Sequence, residues 1–445
     1  MSTALVARPA PGARIPAGPA GPAGGVPAPR RRRGLLRRLG GLRHTSPGRL
    51  KLLLGALLTL GLLTGLVAGL TGNAAAGGTS DLGSRAQPLL VEAETIYSAL
   101  ADADTTAAQA FLAGGLEPAE LTRRYNDDLE RATTAIASAA RRTPEGSAAA
   151  AAVGTLSAGV AKYAALVATA RADNRQGLPI GASYLSAASQ LNRDTLLPQA
   201  QNLFRIAQDE VRAGYSSASS TGWVLLLVVL VLALLVVLVL GQRYLSRATH
   251  RTFNVPLVAA TVLTVVLAIG AQIVLTGQHA HLNRAEDNGS TPVATLAEAR
   301  ILALRERGDE ALTLAARGSG GTYTEDFAQS SARLDGILGR ERSTAYLRDE
   351  HQAYLAAHRK VRALDDNGDY DRAVKLAVGP ETTGAFQTFL AGLNTEINVH
   401  KLHFTREINA AGRGLGLLTV FGPLLALVIC ALAFMGIRAR LEEYR

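Results

Sequence analysis

Hydrophobic positions in this chain fall into two regimes. Leu52–Leu70, Trp223–Leu240, Val255–Leu275 and Leu415–Ile437 are apolar on every face and contain no Asp, Glu, Lys, Arg or His. Each is long enough to cross about 30 Å of hydrocarbon as a helix. Elsewhere apolar residues recur every three to four positions, as at Leu185, Ala188, Leu191, Leu196 and Leu197. That is the period of helices that bury one face in a bundle.

Breaks divide the amphipathic regions. Gly114-Gly115, Thr143-Pro144-Glu145-Gly146 and Gly177-Leu178-Pro179 predict helices over 82–113, 117–142, 146–176 and 181–221. Beyond the second apolar pair, helices are expected over 277–317, 323–341, 344–366, 370–378 and 381–413, with Gly318–Gly321 breaking the first two. Asn367-Gly368 reads as a helix stop and Asp369 as the cap of the next helix. Tyr163, Arg171, Gly177, Ala182 and Leu185 match Tyr354, Arg362, Gly368, Ala373 and Leu376 at a constant offset of 191 residues. The spacing points to internal duplication.

The expected fold is an all-α membrane protein with four transmembrane helices and two extracytoplasmic four-helix bundles related by that duplication. Its parts are a disordered basic tail (1–51), span (52–71), bundle (72–221), span (222–241), cytoplasmic connector (242–254), span (255–276), bundle (277–413), span (414–437) and tail (438–445). An A-x-A-like site at Ala74–Ala76 also raises a cleaved signal peptide, but the 19-residue apolar run favours an anchor.

Charge orients this plan. The net charge of +10 is not spread evenly. Residues 1–51 carry +11, the connector +3 and the last eight residues +1, whereas 71–222 carry −3 and 276–414 carry −2. Positive excess on one side marks a plasma-membrane protein with both termini cytoplasmic, and it argues against a nucleic-acid-binding face. Arg30, Arg31, Arg32, Arg33, Arg37 and Arg38 are candidates for lipid or partner contact. Arg243, Arg247 and Arg251 in the connector GQRYLSRATHRTFN are candidates for cytoplasmic coupling. Gly61, Gly65 and Gly69, four apart, leave a smooth face for close helix packing or homodimerisation.

No catalytic signature is present: the chain has no Walker loop, GxSxG or HExxH motif, so no enzyme activity and no cofactor is expected. The single cysteine, Cys430, excludes an internal disulfide framework. His279, His281, His351, His358, His400 and His403 fall in the second bundle, where solvated surface positions are a better account than a metal site. Asp365–Asp371 fails as a calcium loop, because Tyr370 and Leu376 stand where Gly and Glu are needed. Arg123-Arg124 with Asp127-Asp128 fits i,i+4 pairing on an exposed face. Gln272 reads as interhelical glue. A ligand carboxylate held by arginines between bundle helices remains open, with no arginine singled out.

The bundle-and-span plan resembles the four-helix sensor modules of bacterial chemoreceptors and histidine kinases. The duplicated layout, the Pro/Arg-rich tail, the junction GLPIGASYLSAASQLNRDTLLPQA and the ending RLEEYR resemble the actinobacterial GlnX family more specifically. That resemblance implies relay of amino-acid availability: an extracytoplasmic GlnH-type solute-binding lipoprotein senses aspartate or glutamate, and the membrane protein passes its state to the cytoplasmic Ser/Thr kinase PknG. It carries over no contact residue. The alternatives are a stand-alone sensor whose bundles bind a small ligand, and a structural scaffold of the envelope.

Overall fold

The computed structural model describes residues 46–113, 117–219, 221–249, 254–315, 320–339 and 345–442. The chain divides into Met1–Leu52 and Leu53–Arg445. Of the former, residues 46–52 begin a helix, and the tail arginines Arg30–Arg38 lie outside the described residues, as do Gly114-Gly115.

Among the described residues every regular element is helical. The first half comprises α1 (Ser46–Asp81), α2 (Gln87–Leu112), α3 (Ala119–Arg142), α4 (Ala148–Arg175), α5 (Ile180–Leu191), α6 (Leu197–Ser219) and α7 (Thr221–Thr249). The second comprises α8 (Val255–Ala285), α9 (Thr291–Ala315), α10 (Gly321–Leu338), α11 (Ala345–Asp366), α12 (Tyr370–Val378), α13 (Pro380–Ala411) and α14 (Leu415–Glu442). Five-residue π-helical segments at Leu82–Ala86, Asn192–Leu196 and Glu286–Ser290 join α1 to α2, α5 to α6 and α8 to α9 without a break. Gly48–Phe111 is therefore one helical rod of 64 residues, roughly 95 Å long at 1.5 Å per residue. Ala74–Ala76 lie inside it rather than in an extended segment.

Local chemistry sets the ends of the bundle helices. Ser147 caps α4, its Oγ accepting from the Ala150 N–H at 3.1 Å. Gly177 and Gly368 adopt φ 70° and 79°, which L side chains rarely take, and stop α4 and α11 in the same way. In each, the next N–H reaches back five residues, Leu178 to Asp173 O and Asp369 to Leu364 O, both at 2.9 Å. Two expected side-chain interactions take other forms. Asp369 stands at the cap position, but its carboxylate accepts from Arg372 at 3.1 Å instead of a backbone N–H. Arg123 pairs with Glu120, and Asp128 is buried and bonded to Arg131, so the i,i+4 pairs do not form.

The halves share one order of elements, a likeness of plan: an apolar helix, a π segment, the bundle helices, then a second apolar helix. Their bundles do not stand apart. Leu89, Ile96, Tyr163 and Leu203 of the first belong to the same buried core as Leu302, Tyr354, Phe389 and Leu393 of the second. The seam is α2 against α9.

Among the described residues, five helices are long and apolar enough to span a membrane. The one not expected from sequence, α4, is Ala-rich, but it belongs to the bundle. Its face Ala152, Leu156, Val160, Tyr163 and Val167 lies in the shared core, and Lys162 is exposed on the other side. The remaining four apolar segments pack together through Val67, Ala68, Leu227, Val231, Ala271, Leu275, Leu415 and Leu418. Outward they present large apolar side chains such as Leu66, Leu225, Leu232, Ile273 and Leu417, each more than half exposed. Such a belt suits hydrocarbon and not water.

Side-chain hydrogen bonds tie these helices to one another. Gln278 Nε2 of α8 donates to Thr79 Oγ1 of α1 at 3.2 Å and to Ala218 O of α6 at 3.0 Å, all buried. Gln272 bonds Thr276 of its own helix, whereas Gln278 and also Gln242, whose Nε2 donates to Leu257 O at 3.0 Å and Thr261 Oγ1 at 2.8 Å, bond across helices. Asn254 Nδ2 donates to Gly436 O at 2.9 Å, fixing the start of α8 to α14. The connector is also shorter than expected. QRYLSRAT contains no helix breaker, and α7 runs on through Thr249.

Candidate functional site: the cleft between the bundles

Along the seam, α2 and α9 meet through buried polar contacts. Arg300 Nη1 donates to Glu94 Oε1 at 2.6 Å, Arg305 Nε to Tyr97 Oη at 2.5 Å, and Arg305 Nη2 to Gln201 Oε1 of α6 at 3.1 Å. Gly308 on α9 faces Thr105, and a Cβ there would stand 3.8 Å from its hydroxyl. At this level packing leaves a cleft of about 500 Å³ walled by α2, the α5–α6 corner, α9 and α10. Asp104 lies 23 residues beyond Asp81, roughly 35 Å along the rod from the end of α1.

The corner carries Arg193 inside its π segment, the kind of local widening frequent at functional sites. Asn192 fixes the segment by donating to Leu100 O at 3.1 Å. Arg193 then reaches the second bundle, donating to Tyr323 Oη at 3.0 Å with its guanidinium 4.4 Å over that ring. Among the described residues neither Arg193 nor Arg305 has a carboxylate within 4.0 Å. Both cations are held by neutral groups.

Acids occupy the same cleft. Asp104 accepts from Ser189 Oγ at 2.9 Å and Tyr163 Oη at 3.2 Å, and its burial still moves its pKa upward. Asp309 is buried, and no hydrogen bond reaches its carboxylate among the described residues. Burial, and after it the charge of Asp326, pushes its pKa up to about 7, against the pull of Arg193 and Arg305.

A second polar cluster lies inside the second bundle. His351 Nε2 meets Glu306 at 3.0 Å with both side chains fully buried, and His358 Nδ1 meets Glu310 at 2.8 Å. The His358 ring stacks on Phe327 at 3.9 Å between centroids. These two histidines are therefore core groups and not solvated surface ones, because each has a buried glutamate on α9 to pair with. His281 pairs with Glu407 at 2.7 Å, His400 meets Asn288 O at 2.7 Å, and His403 is exposed. Among the described residues no three His, Cys, Asp or Glu side chains converge as metal ligands.

The sequence candidates lie elsewhere. Arg243 and Arg247 are exposed on the end of α7, and Arg251 lies outside the described residues. Gly61, Gly65 and Gly69 face α14: their Cβ positions would stand 2.5 Å from Cys430 Sγ, 2.5 Å from Ala426 Cβ and 3.0 Å from Pro423 Cγ. The smooth face is taken up within the chain. Of those that are described, none lines the cleft. The cleft residues carried no motif: Arg193 stands beside Asp194, and Arg305 and Asp309 fall in the mixed charged run Arg305–Glu310, which matches no known ligand signature. The one available sign was a charged residue at a core-facing position, as Asp309 is four after Arg305 on an otherwise buried helix.

Apolar helices thus run into a paired bundle with a charged cleft at its seam. Residues 78–216 match the family model of the actinobacterial sensor domain. The matched segment is the first bundle, including the wall of the cleft that carries Asp104 and Arg193. It supports a sensing role for an actinobacterial protein. No curated protein matches the chain significantly.

Proposed function

We propose that this protein is a transmembrane signalling relay without catalytic activity of its own. Both bundles lie outside the plasma membrane, and both termini with the α7–α8 turn lie in the cytoplasm. The observation that carries the reading is mechanical: two bundles share one core, and their helices continue into the apolar spans. A change at the seam displaces whole rods rather than single side chains, and packed cores switch between discrete arrangements. On the resemblance to the GlnX family, the outside partner is a solute-binding lipoprotein for aspartate or glutamate, and the inside partner is a Ser/Thr kinase. The test is co-purification of the full chain with such a lipoprotein, with and without aspartate, and crosslinking of Arg243 and Arg247 variants to the kinase. Ligand-dependent association is expected; absence of association in both states refutes the relay. The cleft favours a second reading, direct sensing of a small ligand by the bundles.

A further inference from the structure

We propose that the cleft between the bundles binds a small amphoteric ligand, carrying at least one carboxylate and one ammonium group as a free amino acid does. This rests on the reading of the protein as a sensor and goes beyond it by placing a ligand on this chain itself.

The argument starts from the contrast between neighbouring charges. Glu94 and Arg300 have closed on each other at 2.6 Å. A short way along the same seam, Arg193 and Arg305 have not closed on any acid among the described residues, although both act electrostatically on Asp309. Tyr323 holds one guanidinium by hydrogen bond and ring face, and Tyr97 with Gln201 holds the other. Two fixed, unpaired guanidinium forks across a cavity are what a carboxylate requires, and little side-chain freedom is left to lose on binding.

The opposite charge is prepared too. Among the described residues no hydrogen bond reaches the Asp309 carboxylate, and Asp326 beside it raises the cost of ionising it. An ammonium placed there donates to the Asp309 carboxylate and relieves the repulsion. A plain dicarboxylate would meet those two acids, and a plain diamine would meet the two arginines. The cleft thus discriminates by repulsion as well as attraction. Its volume of about 500 Å³ lies within the range of small-molecule sites, about 300–1,000 Å³. Because Arg193 comes from one bundle and Arg305 and Asp309 from the other, the ligand would join the two and bias the seam from which the rods leave.

The experiment is titration calorimetry on the full chain in lipid nanodiscs, with the common amino acids tested one by one, succinate as the carboxylate-only probe and putrescine as the ammonium-only probe. At least one amino acid binds, and succinate and putrescine bind at least about tenfold more weakly. Arg305→Gln lowers that affinity about tenfold or more. Gly308→Leu abolishes it by filling the cleft without altering charge, and each variant is first shown to keep the parent's thermal transition. The inference is overturned if no amino acid gives heat, if succinate matches the best of them, or if both variants bind as the parent does. Heat without lipoprotein association sinks the relay and leaves this site standing. Lipoprotein association without heat, lost in Arg305→Gln, overturns the site by showing that a protein side chain fills the cleft.

Discussion

Removing Arg300 tests whether the two bundles are one structural unit. Its guanidinium meets Glu94 at 2.6 Å across the seam, with side chains 10% and 4% exposed. Within such burial the pair's net worth is small, because desolvation offsets attraction. Removing one partner is different. Arg300→Met leaves the Glu94 carboxylate in the core, where Lys401 is close enough to interact with it. A stranded buried charge of this kind costs about 3–5 kcal/mol. Partial relief by Lys401 places the expectation near the lower figure, about 3 kcal/mol. For a body of this size that lowers Tm by roughly 6 °C. The double variant Glu94→Leu/Arg300→Met replaces the pair with apolar groups and should recover most of the loss, giving a coupling of about 2 kcal/mol or more. The assay is thermal unfolding of the purified protein in nanodiscs, followed by circular dichroism across the four members of the cycle. A loss under about 1 kcal/mol for Arg300→Met, or additivity in the cycle, would refute a buried seam. So would two separate transitions in the parent protein.

Three other outcomes follow from the same geometry. Gly78→Ala is expected to cost about 1–3 kcal/mol, because its Cβ would stand 2.6 Å from the Ala218 backbone, whereas Gly77→Ala meets nothing within 4 Å and should stabilise by up to about 1 kcal/mol; denaturant unfolding compares the neighbours. Asp309 has its native pKa raised to about 7, so the native state keeps a proton that the unfolded chain has lost. Stability therefore falls as pH rises from about 4 through 7, by up to about 1.4 kcal/mol per unit, and Asp309→Asn should flatten that part of the profile. Reversing Arg243, Arg247 and Arg251 to Glu is expected to abolish signalling while external binding persists, checked beside a topology reporter because the same charges orient the chain; variants that keep both topology and signalling reduce the turn to a mere connection.

Much of the architecture was legible in the sequence because its causes are local. Uniform apolarity marks a span, three-to-four periodicity marks a bundle helix, and Gly177 and Gly368 announce helix ends through a backbone angle only glycine takes easily. The breaks flanking α4 marked it as a bundle helix although its composition alone would pass for a span, and its packing against the bundle core agrees. What escaped reading depends on partners distant in sequence. His351 and His358 look like surface histidines until Glu306 and Glu310 are brought beside them. Gln278 and Gln272 cannot be told apart by sequence, yet one ties three helices and the other none. The π segments leave no compositional trace, and without them Arg193 has no reason to be singled out. The seam itself is a long-range fact, since nothing within either half says that Glu94 waits for Arg300.

The shared core has a consequence for how such a molecule can change. Sensors assembled from two identical chains carry every substitution twice, on both sides of their axis. Here the two sides are encoded separately and held at one-to-one stoichiometry by the peptide bond. A mutation therefore touches one side alone, and each wall of the cleft can carry its own set of charges without any symmetry to satisfy. The same arrangement forbids dosage errors: neither side can be made in excess, and neither can be exchanged for a stranger. Specialisation of the two walls is then free to proceed in opposite directions within a single gene.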